Sequence, residues 1–271
     1  MLEYIVLRYL NKYFDKILCT NQHGFLRGMS CGTQLITVFH QIFQLRDNGL
    51  PVQIAAFDFA KAFDKVSHRL LVEKLHSFNI SVQIIEWIKN FLSARKQQVI
   101  LNDATSDTQM VRSCVPQGSV LGPALFLFYI NDIFENISSC VRLFADDIIM
   151  YSALSCSVDV FRFQGDIGAL GCWSKKLRMT FNVFKCSVMF VGKSRNVKLE
   201  EILYKLNNEI ISTLSDFKYR GIVIDFNLKW KKHINIIIRK AMRVLGLLKS
   251  TLWHAGVRTR LIPDKTLIFF L

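Results

Sequence analysis

Two adjacent carboxylates, Asp146 and Asp147, stand inside an apolar run at residues 141–151 that otherwise reads as a strand hairpin. Ionised carboxylates in such a setting cost several kcal/mol, on the order of the desolvation of a buried ion, unless a cation or hydrogen bonds compensate them. A divalent cation is the usual compensation at a turn of this kind. Asp58 fits the same logic, because it ends the apolar stretch 52–57. Three carboxylates at the ends of two strands suffice to hold two Mg²⁺ ions for phosphoryl transfer. Asp64 is read differently: it lies at a predicted helix start, where a carboxylate can simply cap. An Asp-Asp pair taken alone also marks solvated turns, so the surrounding elements carry the weight.

Those elements follow from periodicity. Helical apolar spacing covers residues 2–14 and 33–45, on either side of a glycine-bearing turn at 24–32. Residues 52–57 form a short β-rich run that delivers Asp58 to a strand end. Residues 67–78 and 81–92 each open with a serine suited to cap a helix. Residues 97–101 and 108–113 read as a strand pair turning at 102–104, and Pro116 and Gly118 punctuate the entry to a long apolar helix from Leu121. After the Asp146-Asp147 turn come an amphipathic helix at 158–177, a strand at 186–191, a hairpin at 202–211 turning on Asn207-Asn208, and a segment at 219–224 that closes the sheet. The predicted class is α+β, with helices on one side of a mainly antiparallel sheet.

A chain of 271 residues with 51% apolar content can bury a substantial core in one or two domains. Its net charge of +14 and pI near 9.6 are the footprint of a nucleic-acid binder. Much of the excess is C-terminal, in Lys229, Lys231, Lys232, Arg239, Lys240, Arg243 and Lys249, which suits a helix gripping a phosphate backbone. Seven cysteines without zinc spacing or a paired framework indicate reduced thiols inside a cell. No secretory leader is visible, and the longest apolar segment, 120–134, is too short to span a bilayer, so no membrane partner is expected.

Read in order, the blocks are Ala56-Phe57-Asp58-Phe59-Ala60-Lys61-Ala62-Phe63-Asp64, then Val115-Pro116-Gln117-Gly118-Ser119, then Phe144-Ala145-Asp146-Asp147, then Asn182-Val183-Phe184-Lys185-Cys186. This succession resembles palm motifs A to D of the reverse transcriptases of non-LTR retrotransposons, in particular the jockey-like lineage. Residues 23–35 resemble that family's fingers motif, 87–102 its helix-then-strand segment, Trp173 the helix before motif D, 218–222 the primer-grip turn, and 230–249 the first thumb helix.

The resemblance implies a right-hand polymerase fold, with interleaved fingers and palm over residues 1–224 and a partial thumb over 225–271. It implies RNA-directed DNA polymerase activity: deoxynucleotides are added to a primer 3′-hydroxyl by two-metal phosphoryl transfer, with Mg²⁺, or Mn²⁺ in its place. Asp58, Asp146 and Asp147 are then the metal ligands, and Lys185 assists the departing pyrophosphate. Arg27, Phe59, Phe63, Gln117 and Gly118 contact the incoming nucleotide, with Phe63 as the aromatic gate beneath the sugar. The implied partners are an RNA template, a DNA primer and deoxynucleoside triphosphates, in the nucleus of a host cell.

The chain also departs from the family pattern. The fingers motif usually reads G-F-R-K-G-R-S, whereas here Gly24-Phe25-Leu26-Arg27-Gly28-Met29-Ser30 places Leu26 and Met29 at two arginine positions. Cys114 replaces a glycine before motif B, and Arg220 replaces a leucine at the primer grip. The resemblance further implies a chain truncated at both ends, without the endonuclease domain such elements encode upstream. A second reading is therefore an inactive remnant that keeps the fold and binds nucleic acid. A third, another class of palm polymerase, fits Phe63 and the Phe-Ala-Asp-Asp form less well.

Overall fold

The computed structural model describes residues 1–102, 104–194 and 196–251, with Asp15 and Lys16 described by backbone alone. The predicted turn residue Asp103 and the apolar end at 267–271 lie outside the described residues. Two helices, α1 (Leu2–Ile17) and α2 (Cys31–Asp47), precede strand β1 (Val52–Phe57). Helices α3 (His68–Ser77) and α4 (Val82–Leu92) lead to four short strands, β2 (Lys96–Gln97), β3 (Ile100–Leu101), β4 (Ala104–Thr105) and β5 (Gln109–Met110). Helix α5 (Gly122–Ile130), the hairpin β6 (Cys140–Phe144) and β7 (Asp147–Ala153), helix α6 (Ser157–Lys176) and β8 (Ser187–Val191) follow. Strands β9 (Lys205–Leu206), β10 (Glu209–Ile210) and β11 (Ser212–Thr213) end the first of two compact units, Met1–Leu214. The second unit, opening at Ser215, holds the hairpin β12 (Asp216–Tyr219) and β13 (Ile222–Asp225) and helix α7 (Lys231–Thr251).

The first unit is organised by a five-stranded sheet in the order β11-β8-β1-β7-β6, antiparallel except where β11 runs parallel to β8. Strand β1 is central and buried, which explains its nearly unbroken apolar sequence. Its one polar residue, Gln53, is fully buried and satisfied: Nε2 donates to Ser152 Oγ at 3.0 Å and to the Asp159 carbonyl at 3.2 Å, and Oε1 accepts from the Tyr204 hydroxyl. Those partners offset the cost of burying an amide in an apolar layer.

One face of the sheet, with Ala55, Phe57, Ile148, Met150 and Val188, joins α3 to α6 in a single core. The alternate residues Ile54, Ile149 and Met189 are buried as well, and α2 packs against β1 and β6. Helices therefore cover more than the single side that the sequence predicts. Every residue of α5 except Pro123 is buried, so its lack of an amphipathic stripe reflects a central position in the core.

Several local expectations change. Ser67 and Ser81 do stand at the N-caps of α3 and α4, but neither side chain caps the helix. The apolar helix stops at Ile130, where the Asn131 side chain instead ties the end of α1, accepting from the Cys19 N–H and donating to the Ile17 carbonyl. The predicted strand pair becomes two ladders, β2 with β5 and β3 with β4. Their registers differ by one residue, as a bulge on the returning strand requires. The segment predicted to close the sheet forms its own β12–β13 ladder, grouped with α7 in the second unit, because its backbone bonds are already satisfied locally.

Candidate active site

Asp58 lies one residue past the Phe57↔Ile148 pair, and extending that register sets it across from Asp147, the first residue of β7. The neighbouring Asp146 occupies the two-residue loop between β6 and β7, after the last ladder pair, Phe144↔Asp147. All three carboxylates are half-buried. The Asp58 backbone is held from the other side, since its carbonyl accepts from the Asn182 N–H at 2.8 Å. That bond brings in the 3₁₀ turn at Val183–Lys185. Lys185 Nζ consequently reaches Asp58 Oδ2 at 2.9 Å. Its pKa is raised, first by the hydrogen bond and charge of Asp58 and further by the charges of Asp146 and Asp147. The four predicted catalytic residues thus share one electrostatic neighbourhood.

That neighbourhood answers the question of whether these residues suit a divalent cation. Among the described residues no three potential ligands are already closed around one point. An ammonium group nevertheless sits on Asp58 within the field of the other two carboxylates, so the donor set attracts and stabilises positive charge. Hard carboxylate oxygens are also the donors that Mg²⁺ prefers.

A segment outside the sheet braces the hairpin. Gln22 makes a parallel bridge to Leu143; the Leu143 N–H donates to the Asn21 carbonyl at 2.9 Å and the His23 N–H to the Leu143 carbonyl at 2.8 Å. The Gln22 side chain, 4% exposed, places Oε1 at 2.9 Å from the Ala145 N and 2.7 Å from the Gly24 N. At Gly24 a Cβ would come within 2.2 Å of the Ala145 nitrogen, so only glycine permits this approach. Neither role is evident from spacing, because the contact spans more than a hundred residues of sequence; the sole local signal is a glutamine in an otherwise turn-like stretch.

The predicted nucleotide contacts divide. Phe63 is half-buried, stacked on Phe126 at 4.6 Å and edge-on to Phe25 at 6.2 Å. Gln117 and Gly118 are exposed, and Gly118 has φ 81, a conformation that favours glycine. Gln117 Nε2 donates to Asp64 Oδ1 at 3.1 Å, while the Val115 N–H donates to the Phe63 carbonyl at 3.0 Å, which ties motif B to motif A. Asp64 is therefore engaged with this turn. Arg27 is exposed and lines an open cleft of about 510 Å³ with Leu26, Met29 and Phe25. Phe59 differs from its expected part: its ring is 3% exposed, stacked on Phe181 at 4.5 Å and near Trp173, so the side chain serves the core and only the backbone is left to face a ligand. The departure at Cys114 is a conformational one. It adopts φ 106, which an L side chain rarely takes. Arg220 and Gly221, by contrast, have φ 47 and 88 in a two-residue hairpin loop, a turn whose first position tolerates a non-glycine residue at modest cost.

Behind the site, Lys74 Nζ bonds Asp132 Oδ1 at 2.5 Å, and Trp173 Nε1 donates to the same oxygen at 2.7 Å. Burial lowers the Lys74 pKa and Asp132 opposes that shift. This partly buried network, joining α3, α6 and the turn after α5, was not foreseen in the sequence and has a packing role.

The family profile described as reverse transcriptase (RNA-dependent DNA polymerase) matches residues 1–246. The chain is 30% identical over 188 residues to the RNA-directed DNA polymerase from mobile element jockey of Drosophila funebris, covering 65% of this chain and 20% of that protein. It is 29% identical over 260 residues to the probable RNA-directed DNA polymerase from transposon X-element of Drosophila melanogaster, covering 92% of this chain and 27% of the relative. The chain thus spans between a fifth and a third of the length of such relatives. Among solved structures, telomerase from Candida tropicalis with a fragment of telomeric RNA superposes with a TM-score of 0.58 at 13% identity, over 84% of this chain and 36% of that one. The apo telomerase gives 0.57 at 12% identity, over 84% and 40%. These likenesses show a right-hand polymerase fold.

Proposed function

This chain belongs to the reverse transcriptase family, and from that premise we propose that it extends a DNA primer on an RNA template by nucleotidyl transfer. The observation that carries the reading is the meeting of Asp58, Asp146, Asp147 and Lys185 at the ends of adjacent strands. Asp58, Asp146 and Asp147 would hold Mg²⁺, two ions in the full arrangement, which when bound supplies an activated primer hydroxyl and neutralises triphosphate charge. The chain's own residues do the rest. The Asp58 backbone is held by β1 and by the Asn182 N–H, so its carboxylate is presented at the strand end across from Asp147. Lys185, whose raised pKa keeps it protonated at neutral pH, is free in its exposed position to leave Asp58 and donate charge or a proton to the pyrophosphate as it departs. Phe63, wedged between Phe126 and Phe25, offers a rigid wall against which a 2′-hydroxyl would clash. Gly118 leaves open backbone where a base pair could approach.

On this reading the basic face of α7, with Lys232, Arg239, Lys240 and Arg243, contacts the phosphate backbone of the primer and template. Among the described residues no helix is long and apolar enough to cross a membrane. Nuclear action, and an endonuclease domain encoded upstream of this one, are what the family resemblance implies.

The test is primer extension by the purified protein on an oligo(dT)-primed RNA template with Mg²⁺ and labelled dTTP, beside Asp58→Asn. Extension by the parent that the variant lacks supports the proposal. Salt-dependent duplex binding without extension at any metal concentration would instead support an inactive nucleic-acid-binding remnant.

A further inference from the structure

The segment around Gln22 contributes no predicted metal ligand or nucleotide contact, yet it makes polar contacts with the loop that carries Asp146. That loop has an unfavourable geometry. Ala145 adopts φ 55 in the first position of a two-residue hairpin turn, where glycine is the usual residue. An alanine there leans toward other conformations, and each of them would re-aim the next residue, Asp146. The Ala145 N–H is buried, and its acceptor is Gln22 Oε1 at 2.9 Å. Gln22 Nε2 lies 3.5 Å from the Ala145 carbonyl, so one side-chain amide addresses both polar groups of the strained residue. The amide is itself oriented by the Gly24 N–H at 2.7 Å and by the Gln22↔Leu143 bridge, and Gly24 presses directly against Ala145.

We propose that Gln22 is a positioning residue that clamps Ala145 in its left-handed conformation and thereby sets the aim of Asp146 into the carboxylate site. The inference deepens the polymerase reading and rests on it for its kinetic consequences. Gln22 touches no reacting atom; it acts through the Ala145 peptide.

Gln53 provides an internal control. It too is a buried glutamine with a satisfied side chain on the same sheet, but it lies at the opposite end of β1 from Asp58. Gln22→Leu and Gln53→Leu should each lower thermal stability. Only Gln22→Leu should loosen the site. It is expected to reduce the primer-extension kcat by about 10- to 100-fold, the usual cost of a small misplacement of a reacting group. It should also raise the half-saturating Mg²⁺ concentration several-fold, with the dNTP KM and primer-template affinity held within about twofold. Mn²⁺ binding followed by electron paramagnetic resonance without nucleotide should weaken in the same variant. Hydrogen exchange should quicken over residues 143–148 and leave β8 unchanged. Gln22→Glu, which keeps the accepting Oε1 and loses the Nε2 donor, should retain more of the exchange protection than Gln22→Leu, and Gln22→Met, which removes both, stands in for the leucine variant if that protein does not fold.

The exchange measurement needs no metal and no turnover. A parent protein without extension would therefore count against the polymerase reading while the clamp remained testable. Equal exchange and metal responses in the Gln22→Leu and Gln53→Leu proteins would overturn the clamp and leave Gln22 a packing residue.

Discussion

The carboxylate end of the site and the face proposed to receive the nucleotide are held by different means. At the carboxylate end, backbone does the positioning: ladder pairs carry Asp58 and Asp147 to neighbouring strand ends, the Asn182 N–H fixes Asp58, and Gln22 and Gly24 fix the Ala145 turn. The backbone of that edge cannot move without breaking several hydrogen bonds at once. On the other face, Arg27, Met29, Gln117 and Gly118 are exposed, and Cys114 holds a backbone conformation that its side chain disfavours. Every departure noted in the fingers motif and before motif B falls on that second face, and none on the carboxylates.

The sharpest way to break this contrast is to remove a carboxylate. Asp146→Asn should lower extension by about 1,000-fold or more, since charge stabilisation at a phosphoryl-transfer site commonly contributes that much; the check is single-turnover incorporation, with circular dichroism showing an unchanged fold. Replacing Lys185 by methionine comes next. The loss of an acid that assists the leaving group is expected to lower kcat by about 100-fold while leaving the fold intact. It should also strengthen Mn²⁺ binding, because the ammonium group no longer competes for Asp58. Weaker Mn²⁺ binding in Lys185→Met would contradict that arrangement.

Effects on the exposed face should be smaller and should fall on different quantities. Cys114→Gly relieves a left-handed strain of about 1–3 kcal/mol, partly offset by the roughly 0.5–1 kcal/mol entropic cost of glycine. A net gain of about 1 kcal/mol should raise the Tm by a few degrees, and a fall in Tm would show that the turn is comfortable as it stands. The smallest effect near neutrality is that of pH. Burial pushes Tyr151 up to about 12 and Cys186 up to about 11, from ordinary values of 10.0 and 9.0. In each case the unfolded chain releases its proton first, so stability is flat below pH 9 and falls as pH rises toward 12. Lys185, also raised, keeps its contribution below its ordinary value of 10.5 and loses it only above that. Denaturant midpoints measured from pH 7 to 11 should therefore stay level and then decline, and a decline beginning near pH 7 would contradict the assignment.

Much of this layout was legible in the sequence, and what escaped has a common cause. Strand 52–57, the hairpin around Asp146 and the helix at 158–177 could be read because each is specified by its own local pattern, and the helix at 230–249 through the family resemblance. The Asn207-Asn208 turn was equally clear, and both residues take positive φ. The bulged pairing of 96–110 was missed because register depends on the partner strand, and the separate β12–β13 ladder because nothing local says which sheet a strand joins. Phe59 sits within a functional motif yet turns inward, since the strand bridge Phe59↔Phe181 decides its direction. Gln22 escaped for the same reason as Asp132: its partners lie far away in the chain.

On the proposed reading the three carboxylates suffice for the chemistry, and the altered nucleotide face governs how well the chain works. Single-nucleotide incorporation across a range of dNTP concentrations tests it most directly, comparing the parent chain with Met29→Arg. The predicted result is a similar maximal rate in both, with the half-saturating dNTP concentration about tenfold lower in the variant, as one added charge-assisted phosphate contact would give. No incorporation by either protein at saturating dNTP, or a change confined to the maximal rate, would contradict it.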